Sequence, residues 1–267
     1  MKVTLLGCGG SGGVPLADGS PGGHWGACDP GEPRNRRRRV SVLVQGSTAG
    51  QGAILIDCSP DLREQLLDHP PERLDAVLLT HAHADHVHGI DDLRAYTYRQ
   101  RQAIPAFMDS ETRGVMTRRF DYVFTSSHTE SRLYPALLED VTIEPGQAFQ
   151  AAGFEVLPFR QQHGHSQTLG FRIGTFAYST DASALDEAAF AALAGLDLWI
   201  VDCLRIDPHP THSHFAQTLE WIARVRPKRA VLTHMNHSVD YRDWVARCPP
   251  GVEPGYDGLE IALPLTA

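Results

Sequence analysis

Six short apolar runs in this chain each stop at an aspartate or a histidine, and that punctuation limits the folds open to it. AILID ends at Asp57, LDAVLLTH at His81, FEVLPFRQQH at His163, FAYSTD at Asp181, DLWIVD at Asp202 and RAVLTH at His234. Such β-rich runs of four to eight residues read as strands, as do MKVTLLG and VSVLVQ nearer the start. Between them lie helical stretches: PDLREQLLDH, IDDLRAYTYRQ, ALDEAAFAALAG and FAQTLEWIARV. The first opens with Ser59-Pro60-Asp61, a cap with Pro at the first helical position. Strands and helices in alternation predict an α/β or α+β layered domain with helices packed outside the sheets. Any one of the six terminal residues could simply cap a turn. Six together predict side chains delivered to one sheet edge, where rigid scaffolds carry function.

The segment from about residue 96 to 160 lacks this regularity. Its aromatic stretch RRFDYVFTSSH and turn-rich DVTIEPGQ read as core aromatics and a connecting hairpin, with a substrate-covering insertion as the alternative.

Length and composition narrow the class. At 267 residues, 42% hydrophobic and 21% charged, with no low-complexity linker, the chain is expected to form a single domain over 1–267. No apolar run approaches a membrane span and the start carries no signal core, so a cytoplasmic location without a membrane partner is expected. Five scattered cysteines, Cys8, Cys28, Cys58, Cys203 and Cys248, suit reduced thiols rather than disulfides. A net charge of −8 argues against a general nucleic-acid surface and a stable nucleic-acid partner. The run RNRRRR at 34–39 reads as a solvated face at a strand start, the alternative being a phosphate-facing role.

The chemistry concentrates in LLTHAHADHVHGID, residues 78–91, where four histidines fall within eight positions. His81 and His83 sit two apart at a strand end, so in extended geometry their side chains project the same way and can chelate one ion. Asp85 and His86 follow where the chain turns into a helix, placed to reach a second ion. Imidazole and carboxylate suit Zn²⁺, Mn²⁺ and Fe ions, and two-metal hydrolytic sites in particular. His88 falls outside this spacing and reads as a helix-face residue.

In HAHADH the sequence resembles the metallo-β-lactamase superfamily, whose HxHxDH signature is matched by His81, His83, Asp85 and His86. The resemblance implies an αββα sandwich, two mixed β-sheets flanked by helices, with a dinuclear site at one edge and two divalent ions, Zn²⁺ or Mn²⁺, as cofactors. It implies His163 in QQHGHSQTLGF as the next ligand, seven residues before Gly170, with His165 the alternative. Asp181 in AYSTDAS matches the bridging aspartate, and His234 in AVLTHMNH the last histidine. The implied ligand set is His81, His83 and His163 on one ion, Asp85, His86 and His234 on the other, with Asp181 between.

GCGGSGGVP after the first strand resembles the opening of the branch that holds tRNA 3′-processing nuclease and phosphoribosyl cyclic phosphodiesterase. Such a turn can offer backbone N–H groups to phosphate, or serve only as a close backbone approach. His212 in THSHF, 22 residues before His234, matches that branch's catalytic histidine, expected to protonate a leaving alkoxide or hold a phosphoryl oxygen. A helix-entry histidine is the plainer alternative, and His209 and His214 are nearby substitutes. The closing LTHMNHSVDY and GYDGLEI extend the resemblance. The cysteine cluster that forms a structural zinc site in those relatives is reduced here to Cys28, with His237 in the histidine position, so His237 is expected to contact substrate or pack. Asp57 and Asp202, each followed by Cys, are expected to orient ligating imidazoles. The expected activity is a phosphodiesterase on a small phosphodiester, a cyclic phosphoribose or a nucleotide, using metal-activated hydroxide with Asp85 and His212 as catalytic residues. Rivals are a thioesterase, lactonase or tRNA 3′-end nuclease on the same ligands, or a di-iron redox or sensor protein. Di-iron relatives usually place Glu where this chain has His83. The resemblance is also compatible with a homodimer.

Overall fold

The structure is a computed structural model that describes residues 1–124 and 135–264; Thr125 to His128 of the aromatic stretch lie outside the described residues. Its strands are β1 Lys2–Gly7, β2 Ser41–Gln45, β3 Ala53–Ile56, β4 Ala76–Leu78, β5 Ile104–Met108, β6 Leu138–Thr142, β7 Phe149–Ala151, β8 Phe154–His163, β9 Ser166–Ile173, β10 Phe176–Ser179, β11 Leu198–Asp202, β12 Arg229–Thr233, β13 Val252–Pro254 and β14 Leu259–Ala262. The helices are α1 Leu62–Asp68, α2 Ala84–Val87, α3 Arg94–Gln100, α4 Ser110–Arg119, α5 Asp121–Phe124, α6 Glu187–Ala192, α7 Phe215–Val225 and α8 Tyr241–Arg247. The strands form two seven-stranded sheets, ordered β14-β1-β2-β3-β4-β5-β6 and β13-β12-β11-β10-β9-β8-β7.

Both sheets are mixed. β3 to β6 run parallel in the first and β10 to β13 in the second, while the remaining neighbours pair antiparallel. The two-residue period of a strand separates its neighbours onto two faces. Val42, Val44, Ile54 and Ile56 enter one core with Val156, Phe171 and Tyr178 of the other sheet, whereas Leu43, Leu55 and Val77 pack with Leu62, Leu66 and Met116 under α1 and α4. With both faces covered, SVLVQ and AILI read as near-continuous apolar runs. This is the two-sheet sandwich with outer helices that the sequence led us to expect.

α7 matches the periodic run FAQTLEWIARV at both ends, burying Thr218, Trp221 and Ile222 on one stripe. Two expectations need correction. Pro60 is not the first helical residue: α1 starts at Leu62 and Asp61 is its N-cap residue, without a side-chain cap bond. The Asp61 carboxylate is drawn instead to Arg39, accepting from its backbone N at 2.8 Å and pairing with its Nε at 2.9 Å. DVTIEPGQ is not a hairpin either. β6 ends one sheet and β7 begins the other, so the turn at 144–147 carries the chain between sheets.

The arginine run is partly a solvated face, with Arg34 and Arg36 exposed, and partly a brace. Arg38 pairs with Asp68 at 2.7 Å, Arg34 lies 5.0 Å from the Tyr241 and Tyr256 ring centroids, and Arg36 lies over Trp25. Arg37 is only 2% exposed. No helix among the described residues is long and apolar enough to cross a membrane.

Candidate metal centre

Parallel strands end at the same edge, and here two parallel sets, one per sheet, deliver their ends to one cleft. His163 and Asp202 are the last residues of β8 and β11; Asp57 and His234 follow β3 and β12 directly, and Asp181 lies two residues past β10. Asp57, Asp181 and His234 take left-handed backbone angles, φ of 61°, 54° and 59°. A non-glycine residue there is strained, and such strain collects where a side chain must be aimed. The chain past β4 leaves the ladder because Thr80 N donates to Asp57 Oδ1 at 2.9 Å, while Thr80 O accepts from Leu169 N of β9. That tie across the sheets sets His81 and His83 ahead of the short helix α2, whose first turn holds Asp85 and His86.

Three groups of donor atoms result, each within 4.8 Å: His81, His83, His163 and Asp181; Asp85, His86 and His234; and Asp181, His212 and His234. The two oxygens of Asp181 face different partners. Oδ1 lies 3.9 Å from His81 Nε2, 3.7 Å from His163 Nε2 and 3.8 Å from His212 Nε2. Oδ2 lies 3.1 Å from His86 Nε2 and 3.3 Å from His234 Nε2. Asp85 Oδ2 closes the second group at 3.5 Å from both of those nitrogens.

Four of the imidazoles, those of His81, His86, His163 and His212, are held by their other nitrogen. His86 Nδ1 meets Asp57 Oδ2 at 2.7 Å, His81 Nδ1 meets Thr80 Oγ1 at 3.0 Å, and His163 Nδ1 meets the Thr211 carbonyl at 2.7 Å. Asp202 Oδ2 lies 3.3 Å from His212 Nδ1 and also accepts from Ala182 N and Ser213 N, while His234 Nδ1, 3.9 Å from Asp202 Oδ1, makes no hydrogen bond. Locking one ring nitrogen in this way orients the other, which is how proteins prepare histidine for a cation. The Nε2 atoms of His81, His86 and His234 are buried and make no hydrogen bond. A buried polar atom without a partner is costly, and three aimed at shared carboxylates fit a divalent ion.

Charge follows the same geometry. Burial pushes the His81 imidazole well down, with His86 adding to the effect. Burial also works against charge on His86 and His234, but for His86 the Asp181 and Asp57 carboxylates more than offset it and hold the group well up. For His234, Asp181 and the Asp85 bond prevail and leave it at about 9. A cation must displace these protons. Metal uptake by the metal-free protein is therefore expected to strengthen as pH rises toward that value, the apparent Kd falling about tenfold per unit for one displaced proton. Chelator competition between about pH 6 and 8 checks the slope; a flat profile would mean the rings are already neutral.

The remaining candidates fall outside the cluster. His165 is exposed at the β8–β9 turn, so of the two histidines only His163 joins. His214 is the N-cap residue of α7, and His88 is exposed with its ring 5.8 Å from Phe120. His209 lies beside His212, ring centroids 5.2 Å apart. His237 packs edge-on against His24, and the Cys28 thiol, pushed up by burial, donates to the His237 and Val239 carbonyls. No group of three metal donors surrounds Cys28 among the described residues. The Gly-rich opening does reach the centre: a Cβ on Gly10 would stand 3.5 Å from His234 Cε1. Sequence reasoning missed Thr80 and the Thr211 carbonyl. Thr80 was visible as the neighbour of His81, whereas a backbone carbonyl leaves no mark in a sequence.

A two-sheet sandwich with histidines and aspartates gathered at one strand edge defines a scaffold whose donor groups could hold a metal ion. The chain belongs to the beta-lactamase superfamily: the model of the beta-lactamase superfamily domain matches residues 53–235. Over 98% of its length it is 35% identical to a Porphyromonas gingivalis protein named octanoyltransferase, and it covers 52% of that protein. It is 33% identical to ribonuclease Z of Bradyrhizobium sp. strain ORS 278 over 52% of this chain and 45% of that one. The chain thus spans about half the length of both curated relatives. The crystal structure of a diphosphatase from the PhnP family superposes with a TM-score of 0.87 at 31% identity, covering 99% of this chain and 98% of the other.

Proposed function

We propose that the chain is a metal-dependent phosphodiesterase acting on a small phosphodiester, a cyclic phosphoribose or a nucleotide. The ligand assignment is part of the proposal: His81, His83 and His163 would hold one Zn²⁺ or Mn²⁺ and Asp85, His86 and His234 the other, with Asp181 contributing to both sets. The observation that carries it is the split of Asp181, whose Oδ1 and Oδ2 face separate sets of imidazoles. When bound, the two ions supply Lewis acidity that makes water a nucleophile near neutral pH.

The chain's own groups do the rest. Asp85 reaches the second set through Oδ2 and accepts a proton from the attacking water. The water oxygen forms the new bond to phosphorus as the bond to the alkoxide breaks, and His212 Nε2 gives the alkoxide its proton. Asp202 holds His212 Nδ1, so Nε2 is the nitrogen that faces the reaction. The likeness to a PhnP-family diphosphatase over nearly the full length supports phosphorus chemistry.

A thioesterase is the second reading, favoured by the 35% identity to a protein named octanoyltransferase. A substrate panel on metal-loaded protein separates the two. Cleavage of phosphodiesters with little activity on acyl thioesters is expected, and the reverse pattern would overturn the proposal.

A further inference from the structure

His209 has no task in the chemistry above, yet its surroundings fix it firmly. It stands between two prolines in DPHPTH, residues 207–212. The Pro208 ring sets the backbone angle leading into it, and Pro210 restricts His209 itself to extended angles. The loop around it is closed at its base, where Leu204 N donates to the Ser213 carbonyl at 3.1 Å and Phe215 N to the Arg205 carbonyl at 2.9 Å. Inside the loop the Arg205 guanidinium donates to the carbonyls of Asp207 and Pro208. On its flank Thr211 packs over Gly164, where a Cβ would stand only 2.6 Å from Thr211 Cγ2. A side chain on such a loop is held in place before any ligand arrives.

The position of the ring proton is fixed too. Thr211 N, which can only donate, lies 3.4 Å from His209 Nδ1, and the Thr211 hydroxyl lies 3.2 Å from the same atom. Nδ1 therefore accepts, and the proton of the neutral ring sits on Nε2. Burial pushes the imidazole down, with His212 and Arg205 adding to the effect, which favours that neutral form near pH 7. The Nε2–H group makes no hydrogen bond among the described residues. Thr211 also holds His163 through its carbonyl, so one residue registers His209 against a member of the metal-donor set.

The His212 ring lies 4.8 Å from the His163 ring on one side and 5.2 Å from the His209 ring on the other. His212 is 9% exposed and His209 half-buried, so His209 is the more solvent-facing of the two. An alcohol that takes its proton from His212 extends outward past that ring. There a neutral N–H suits a hydroxyl or ether oxygen, whereas a second phosphate would call for a cation.

We propose that His209 determines specificity by donating from Nε2 to an oxygen of the leaving alcohol that neighbours the one His212 protonates. The proposal rests on the phosphodiesterase reading and narrows it to diesters whose leaving alcohol is a polyol or sugar rather than a plain alkyl alcohol.

Two probe pairs test it. The first is binding of glycerol 1-phosphate against propyl phosphate, measured by calorimetry on metal-loaded protein. Wild type is expected to prefer the glycerol ester by about 2- to 10-fold, the range of a neutral hydrogen bond. His209→Phe keeps a ring and removes the donor, so it should erase that preference at unchanged metal content. His209→Gln retains an N–H donor and should restore part of it. The second pair is the methyl diesters of glycerol 1-phosphate and of propyl phosphate, with methyl phosphate counted as product by phosphorus NMR. There the Phe variant should raise KM for the glyceryl diester by the same factor at nearly constant kcat, with a much smaller change on the propyl diester. No preference in wild type, or equal losses on both members of a pair, would overturn the assignment; equal losses would mark His209 as a brace for His212. A binding preference that His209→Phe erases, in protein that cleaves neither diester, would defeat the phosphodiesterase reading and leave His209 as a polyol site.

Discussion

Asp181→Ala is expected to lower kcat/KM by about 10²- to 10⁴-fold and to strip the protein of much of its metal. Asp181 is 2% exposed, and its two oxygens lie within 3.9 Å of the Nε2 atoms of five histidines. Breaking a buried charged arrangement by removing one partner costs about 3–5 kcal/mol, and each 1.36 kcal/mol is a factor of ten in rate. The variant leaves Asp85 as the remaining carboxylate facing the Nε2 atoms of His86 and His234. Asp181→Asn keeps the shape and removes the charge, so a similar loss there would assign the effect to charge rather than packing. Metal content by mass spectrometry, read beside turnover, is the measurement. Wild-type metal occupancy and turnover in both variants would place Asp181 outside the centre.

His212→Ala is expected to lower kcat by about 10²- to 10⁴-fold, the range of a positioned general acid, with metal content unchanged. The loss should depend on the leaving group. An alkoxide departs slowly without a proton, whereas 4-nitrophenolate needs none, so the variant should be severely impaired on an alkyl diester and nearly intact on the nitrophenyl one. Asp202→Asn should show the same pattern with a smaller loss, about 10- to 100-fold, because it disturbs the ring His212 presents rather than removing it. Loss of metal in His212→Ala would make this histidine a ligand instead, an arrangement its grouping with Asp181 and His234 would allow.

Much of the site was legible because its residues are attached to signals with a period. Asp57, Asp202 and His234 close or directly follow apolar runs, so strand recognition also recognised them. HAHADH was legible for another reason: two histidines spaced by two, then an aspartate and a histidine at a helix start, leave little choice of geometry. The middle of the chain was less legible. β6 is a charged edge strand, and DVTIEPGQ has turn composition whether it joins strands of one sheet or of two. The helix start at Leu62 was missed because the Asp61 carboxylate answers to Arg39, 22 residues away, rather than to its own helix.

By itself, the sequence determined the layered fold and the residue types gathered at the edge, since local period and ligand spacing are properties of adjacent residues. The tertiary structure alone decided between His163 and His165, because neighbours across a tight turn point into and out of the cleft. It likewise gave members of the arginine run partners distant in sequence, such as Asp61, Asp68, Tyr241 and Tyr256, and buried Arg37. It also brought Arg119, 37 residues away in the chain, against the Ala82 carbonyl between His81 and His83. Each of these outcomes depends on contacts between residues far apart in the chain, and such contacts exist only once the two sheets have closed on each other.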